Sequence, residues 1–80
     1  MARFDVSYYT KDPRFNSLLC REIYTTNQEA IDRVFQKVKE RNEKAKKEHH
    51  IEGYQIVGFT IYRYQPKTYH WKTIYEKRQL

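Results

Sequence analysis

The stretch TTNQEAIDRVFQKVKERNEKAKKEHH, residues 25–50, constrains the fold more than any other part of the chain. Thr26 followed three residues later by Glu29 forms a capping box, whose hydroxyl and carboxylate satisfy amide groups that a first helical turn leaves free. Ala30, Ile31, Val34, Phe35 and Val38 then recur at three- and four-residue spacing and make one apolar stripe. Beyond Val38 only Ala45 is apolar, so the last turns are expected to project past the core, with Gly53 as the stop. A helix with a single stripe can cover a single surface, which the flanking segments must supply.

Those segments read as strands. YQIVGFTIYRY and TYHWKTIYEK are dominated by β-branched and aromatic residues, and QPKT between them supplies a turn. Pairing Tyr64 with Tyr69 would place Val57, Phe59, Ile61 and Ile74 on one face, with Arg63, His70, Lys72 and Glu76 at its margins. Tyr62, Tyr64, Tyr69, Trp71 and Tyr75 would share the other. At the N-terminus RFDVSYYT is a strand with Phe4, Val6 and Tyr8 on one side, and KDPR turns the chain. The following FNSLLCREIYTT continues as a second strand, pairing Val6 with Leu19, because REIYTT runs into the Thr26 cap without room for a turn between helices. The competing reading of residues 13–24 is a helix, with Asp12 as cap, Pro13 at its first position, and Phe15, Leu18, Leu19 and Ile23 at helical spacing.

The expected fold is therefore α+β: a four-stranded antiparallel sheet with one helix on one face, in the order ββαββ, with βααββ as the alternative. Ile31, Val34, Phe35 and Val38 should meet Val57, Phe59 and Ile61, beside Phe4, Val6, Leu19, Ile23 and Ile74. The tyrosine–tryptophan face would lie uncovered, with Trp71 at least partly exposed.

Eighty residues support one domain, 1–80, with a thin core. Uninterrupted apolar runs such as IVGF fall far short of a membrane span of about 20 residues. MARFDVSYY lacks the profile of a signal peptide, and the single cysteine, Cys20, agrees with a reducing compartment, so a cytoplasmic location is expected. Net charge is +6 and unevenly spread: residues 1–26 hold four basic and three acidic groups, 27–52 hold seven and six, and 53–80 hold five against Glu76 alone. The basic excess thus accompanies the aromatic cluster YRYQPKTYHW at residues 62–71.

An open sheet face bearing rings among basic side chains suits single-stranded RNA or DNA, since bases stack on rings and cations neutralise phosphates. Tyr62, Tyr64, Tyr69, Trp71 and Tyr75 would be the aromatic face, with Arg63, Lys67 and Lys72, together with Lys77 and Arg78, as the electrostatic rim. Neither an RNA-recognition run of the KGFGFVxF type nor a GxxG loop is present. The same residue types are enriched at protein interfaces, so a protein-interaction or inhibitor module, of the kind mobile elements encode, is the rival function. A plain structural reading makes the rings ordinary strand residues, or makes the aromatic face the core and the aliphatic face a homodimer interface.

Enzymatic chemistry is the weakest reading. His49 and His50 are adjacent, so they point about 100° apart in a helix, and His70 stands alone with no Cys or carboxylate at ligand spacing; no metal or cofactor is expected. The one catalytic alternative is a metal-free ribonuclease of the small-toxin type, with His70 as acid/base and Arg63, Lys72 and a tyrosine holding the phosphate.

Overall fold

The computed structural model describes residues 2–47 and 52–80, and the side chains of these except 17–20 and 52. His49 and His50 lie outside the described residues. Strand β1 (Ala2–Thr10) is followed by a single 3-10 turn (Pro13–Phe15), strand β2 (Ser17–Tyr24), helix α1 (Asn27–Lys47), a second 3-10 turn (Glu52–Tyr54), and strands β3 (Ile56–Gln65) and β4 (His70–Lys77). The fold is α+β in the order ββαββ, with one four-stranded sheet ordered β2-β1-β3-β4 and every neighbouring pair antiparallel. Strands β2 and β3 therefore run the same way on either side of β1. Strands so arranged need a long connection, and the 21 residues of α1 supply it. No helix among the described residues is long and apolar enough to cross a membrane.

The hydroxyl half of the capping box forms: the Glu29 N–H donates to Thr26 Oγ1 at 3.1 Å. Ala30, Val34 and Val38 are buried and Ile31 and Phe35 partly so, against Phe4, Val6, Tyr8, Tyr24, Ile56, Phe59 and Ile61. Phe35 meets Phe59 edge-on at 5.0 Å between centroids. The Asp12-Pro13 signal also operates, but over one turn only. Asp12 caps the 3-10 turn by accepting from the Arg14 N–H, after which the chain enters β2 and not a helix.

Three expectations about register are corrected. Val6 pairs with Cys20 and not Leu19, a one-residue slip that exchanges the faces of β2. Ile23, expected in the core, points outward and is 61% exposed, while Tyr24 is buried against Phe4 at 5.7 Å. The side chain of Leu19 lies outside the described ones. In the hairpin, Tyr64 pairs with Trp71 and not Tyr69, and an irregularity between Ile61 and Tyr62 brings Tyr75 opposite Ile61. The extra residue this inserts into β4 is Ile74, so Ile74 and Tyr75 both pack against the helix-side core. A further irregularity near Thr10 puts Ile56, where Val57 was expected, into the core.

Gly53 lies in the second 3-10 turn, where an added Cβ would meet Asp12 Cβ at 2.8 Å; it keeps the two short turns in contact. Past the end of β4, Asn42 stands in for a strand neighbour of Ile56. Its Oδ1 accepts the Ile56 N–H at 2.8 Å, and its Nδ2 donates to the Ile56 carbonyl at 3.0 Å. Helix α1 thus runs antiparallel to β3, with Asn27 beside Arg63 and Asn42 beside Ile56. The helix C-terminus and the β3–β4 turn project from opposite ends of a molecule 44 × 22 × 18 Å in extent.

Candidate functional site

Because Phe4, Val6 and Tyr8 face the helix, alternation sends Arg3, Asp5, Ser7 and Tyr9 to the opposite side. Arg21 and Ile23 of β2 join them, as do Thr60, Tyr62 and Tyr64 of β3 and Trp71 and Thr73 of β4. No helix among the described residues covers this face, but its two ends differ.

At the end bearing Gly58, the terminal residues fold over the sheet. The Arg78 guanidinium lies 4.8 Å from the centroid of the Tyr9 ring and its Nε donates to Glu76 at 2.8 Å, while Tyr9 and Thr60 share a hydrogen bond of 2.7 Å. Thr60 is consequently buried. Burial first, and the neighbouring Tyr9 hydroxyl second, raise the pKa of Tyr62 above that of a free phenol.

The end toward the hairpin is open. Ile23, Arg3, Tyr64 and Trp71 line up across all four strands, a row of about 14 Å at the usual strand spacing. The Arg3 guanidinium lies 5.4 Å from the Tyr64 centroid, and the Tyr64 and Trp71 rings are 5.1 Å apart and tilted at 49°. Trp71 is 38% exposed. The next row holds Arg21, Asp5, Tyr62 and Thr73. Asp5 is 5% exposed, with Arg21 Nε 3.6 Å from its Oδ1, an oxygen that accepts no hydrogen bond.

Of the residues singled out by sequence, Tyr62, Tyr64 and Trp71 come together on this face, and Tyr69 and Lys67 stand on the adjoining turn. Arg63 and Lys72 pair with each other on the helix side. There Arg63 Nη1 donates to Asn27 Oδ1 at 2.7 Å, and its guanidinium lies 5.6 Å from the Phe4 centroid. Tyr75 is corrected: the β4 irregularity turns it to the helix side, stacked on Phe59 at 5.7 Å. His70 has the parity of Lys72, so the aromatic row and the only described histidine belong to opposite faces. Arg3, Arg21 and Ile23 are the residues that sequence reasoning missed. For Arg3 the signal was present, since an inward Phe4 requires an outward Arg3.

Tyr69 has φ 58°, the only non-glycine in the left-handed region among the described residues. Its N–H donates to the Gln65 carbonyl at 2.8 Å, closing the turn, and its ring is 79% exposed with no ring contact or side-chain hydrogen bond among the described residues. The backbone conformation costs about 1 kcal/mol for a side-chain-bearing residue, and no packing of the ring offsets it. Tyr69→Gly is therefore expected to stabilise the domain by about 1 kcal/mol in urea denaturation while removing a ring from the open end.

Among the described residues no three His, Cys, Asp or Glu side chains converge as metal ligands. No family model, curated protein or solved structure matches the chain.

Proposed function

We propose that the chain is a small basic binding module that takes single-stranded nucleic acid on the open end of its uncovered sheet face. The observation that carries this reading is the row of Arg3, Tyr64 and Trp71, extended by Tyr69, in which a cation lies over a half-buried ring that is followed by exposed ones. Bases stack on such rings at about 1 to 3 kcal/mol each, whatever their sequence. Charge agrees, because no Asp or Glu occurs between Gly53 and Tyr75 while Lys67 stands on the turn beside the row. A phosphate backbone is drawn to such a segment.

Ile23 supports the rival reading, since an exposed aliphatic residue beside rings also suits a protein partner. Salt separates the two. Trp71, the only tryptophan, reports directly when the protein is titrated with short single-stranded RNA and DNA. Quenching should saturate at low salt and weaken by roughly tenfold or more between 50 and 200 mM salt, as expected for a few phosphate contacts. A signal unchanged by either nucleic acid at both salts would reject nucleic-acid binding and leave the protein partner.

A further inference from the structure

We infer that the strand taken by the open face is RNA, recognised through its ribose 2′-hydroxyl groups by Asp5 and Thr73. This rests on the nucleic-acid reading above and names its substrate class. Both residues belong to the row next to the aromatic one, which crosses the sheet as Arg21, Asp5, Tyr62 and Thr73.

Asp5 is the exceptional member of that row. It is 5% exposed, and its Oδ1 accepts no hydrogen bond. Arg21 Nε stands 3.6 Å from that oxygen, beyond hydrogen-bond reach, on a side chain that is 63% exposed and so free to meet a phosphate. A buried carboxylate oxygen without a donor costs stability, and its charge repels a phosphate backbone. A ligand that brings a donor removes the first loss and offsets the second. The backbone of single-stranded DNA carries acceptors only, whereas each ribose of RNA adds a hydroxyl that both donates and accepts. Thr73 can answer either role. It is exposed, and its hydroxyl has no hydrogen bond among the described residues. It stands two residues from Trp71 on the same face, about 6.6 Å along the strand. A base on Tyr64 or Trp71, with its sugar turned away from the hairpin turn, brings the 2′-hydroxyl to this row, while the phosphate draws Arg21 from Asp5.

The test compares labelled oligouridine, oligodeoxyuridine and 2′-O-methyl oligouridine of one length by fluorescence anisotropy. The base is constant, and the methyl ether keeps the 2′-oxygen but removes its proton. Oligouridine should bind about tenfold tighter than the deoxy strand, the advantage expected of a charge-assisted hydrogen bond, and the methyl ether should bind like the deoxy strand. Thr73→Val keeps the shape of an exposed side chain without its hydroxyl, and should narrow the gap several-fold. Asp5→Asn, if its melting curve shows it folded, should narrow the gap too, because it removes the charge that favours a donor and disfavours phosphate. Equal affinity for the three strands would overturn the 2′-hydroxyl site and leave the binding face standing. So would an RNA preference that the methyl ether shares, or one that Thr73→Val and Asp5→Asn both retain. No binding of any strand would overturn the face, and the site with it.

Discussion

Gly58→Ala is expected to cost the domain about 3 kcal/mol, the upper part of the range for forcing an extra methyl into a closed space. A Cβ at position 58 would stand 2.5 Å from the Lys77 carbonyl oxygen and 2.7 and 2.8 Å from the oxygen and carbon of Arg78. These are backbone atoms, so no side-chain rotation removes the clash. The end of β4 would have to lift, which opens the Leu80 N–H to Val57 carbonyl bond of 2.9 Å and draws Arg78 from the Tyr9 ring. For a chain of this length, whose whole stability is on the order of 4 to 12 kcal/mol, that is a large fraction. Urea denaturation should show a clear fall in midpoint. An unchanged midpoint would mean that the segment from Lys77 onward does not rest on Gly58. The affected end lies away from Trp71, so affinity corrected for the folded fraction should hold.

The double substitution Tyr64→Ala with Trp71→Ala should reduce binding of a labelled single-stranded oligonucleotide roughly thirty-fold or more, because two stacks at about 1 kcal/mol or above are lost. Fluorescence anisotropy of the oligonucleotide provides the readout, since the protein no longer contains tryptophan. Tyr75→Ala is the informative control. Sequence alternation grouped Tyr75 with these rings, whereas it stacks on Phe59 and meets Phe35 at 5.7 Å on the other side of the sheet. It should lower stability and leave affinity, corrected for folded protein, nearly unchanged. If Tyr75→Ala weakened binding as much as the double variant, the assignment of binding to the open face would be wrong.

Tyr69 joins the two halves of this picture. A ring held outward in a backbone conformation that glycine adopts more readily is a local loss of stability, and such losses concentrate where a protein binds something. The Tyr69→Gly variant should therefore be more stable and a weaker binder. Gain in both would deny Tyr69 a role.

The helix, its cap and the two-sided character of β1 and β3 were legible because each rests on local chemistry. Thr26 Oγ1 accepts the Glu29 N–H, Ala30, Val34 and Val38 repeat at the helical period, and Phe4, Val6 and Tyr8 alternate with polar neighbours. The Asp12-Pro13 cap was equally real in its chemistry, but one turn satisfied it. The register of β2 was not legible, since Leu18, Leu19, Cys20, Ile23 and Tyr24 place apolar groups at both parities and alternation has nothing to select. Packing decided it, with Tyr24 under the helix beside Phe4 and Ile23 outward.

The site divides along the same line. That Tyr62, Tyr64 and Trp71 share a face follows from the two-residue period of strands, which survives a register shift of two and holds without any knowledge of the rest of the molecule. The neighbours of those rings do not follow from it. Arg3 lies about sixty residues away in sequence and reaches Tyr64 only because β1 enters the sheet between β2 and β3. Tyr75 changed faces because one extra residue in β4 allowed it to fill the space between Phe59 and Phe35, and the free energy of closing the core outweighed the regularity of the ladder. Local periodicity thus determined which rings could stand together, and long-range packing decided which cations stand among them.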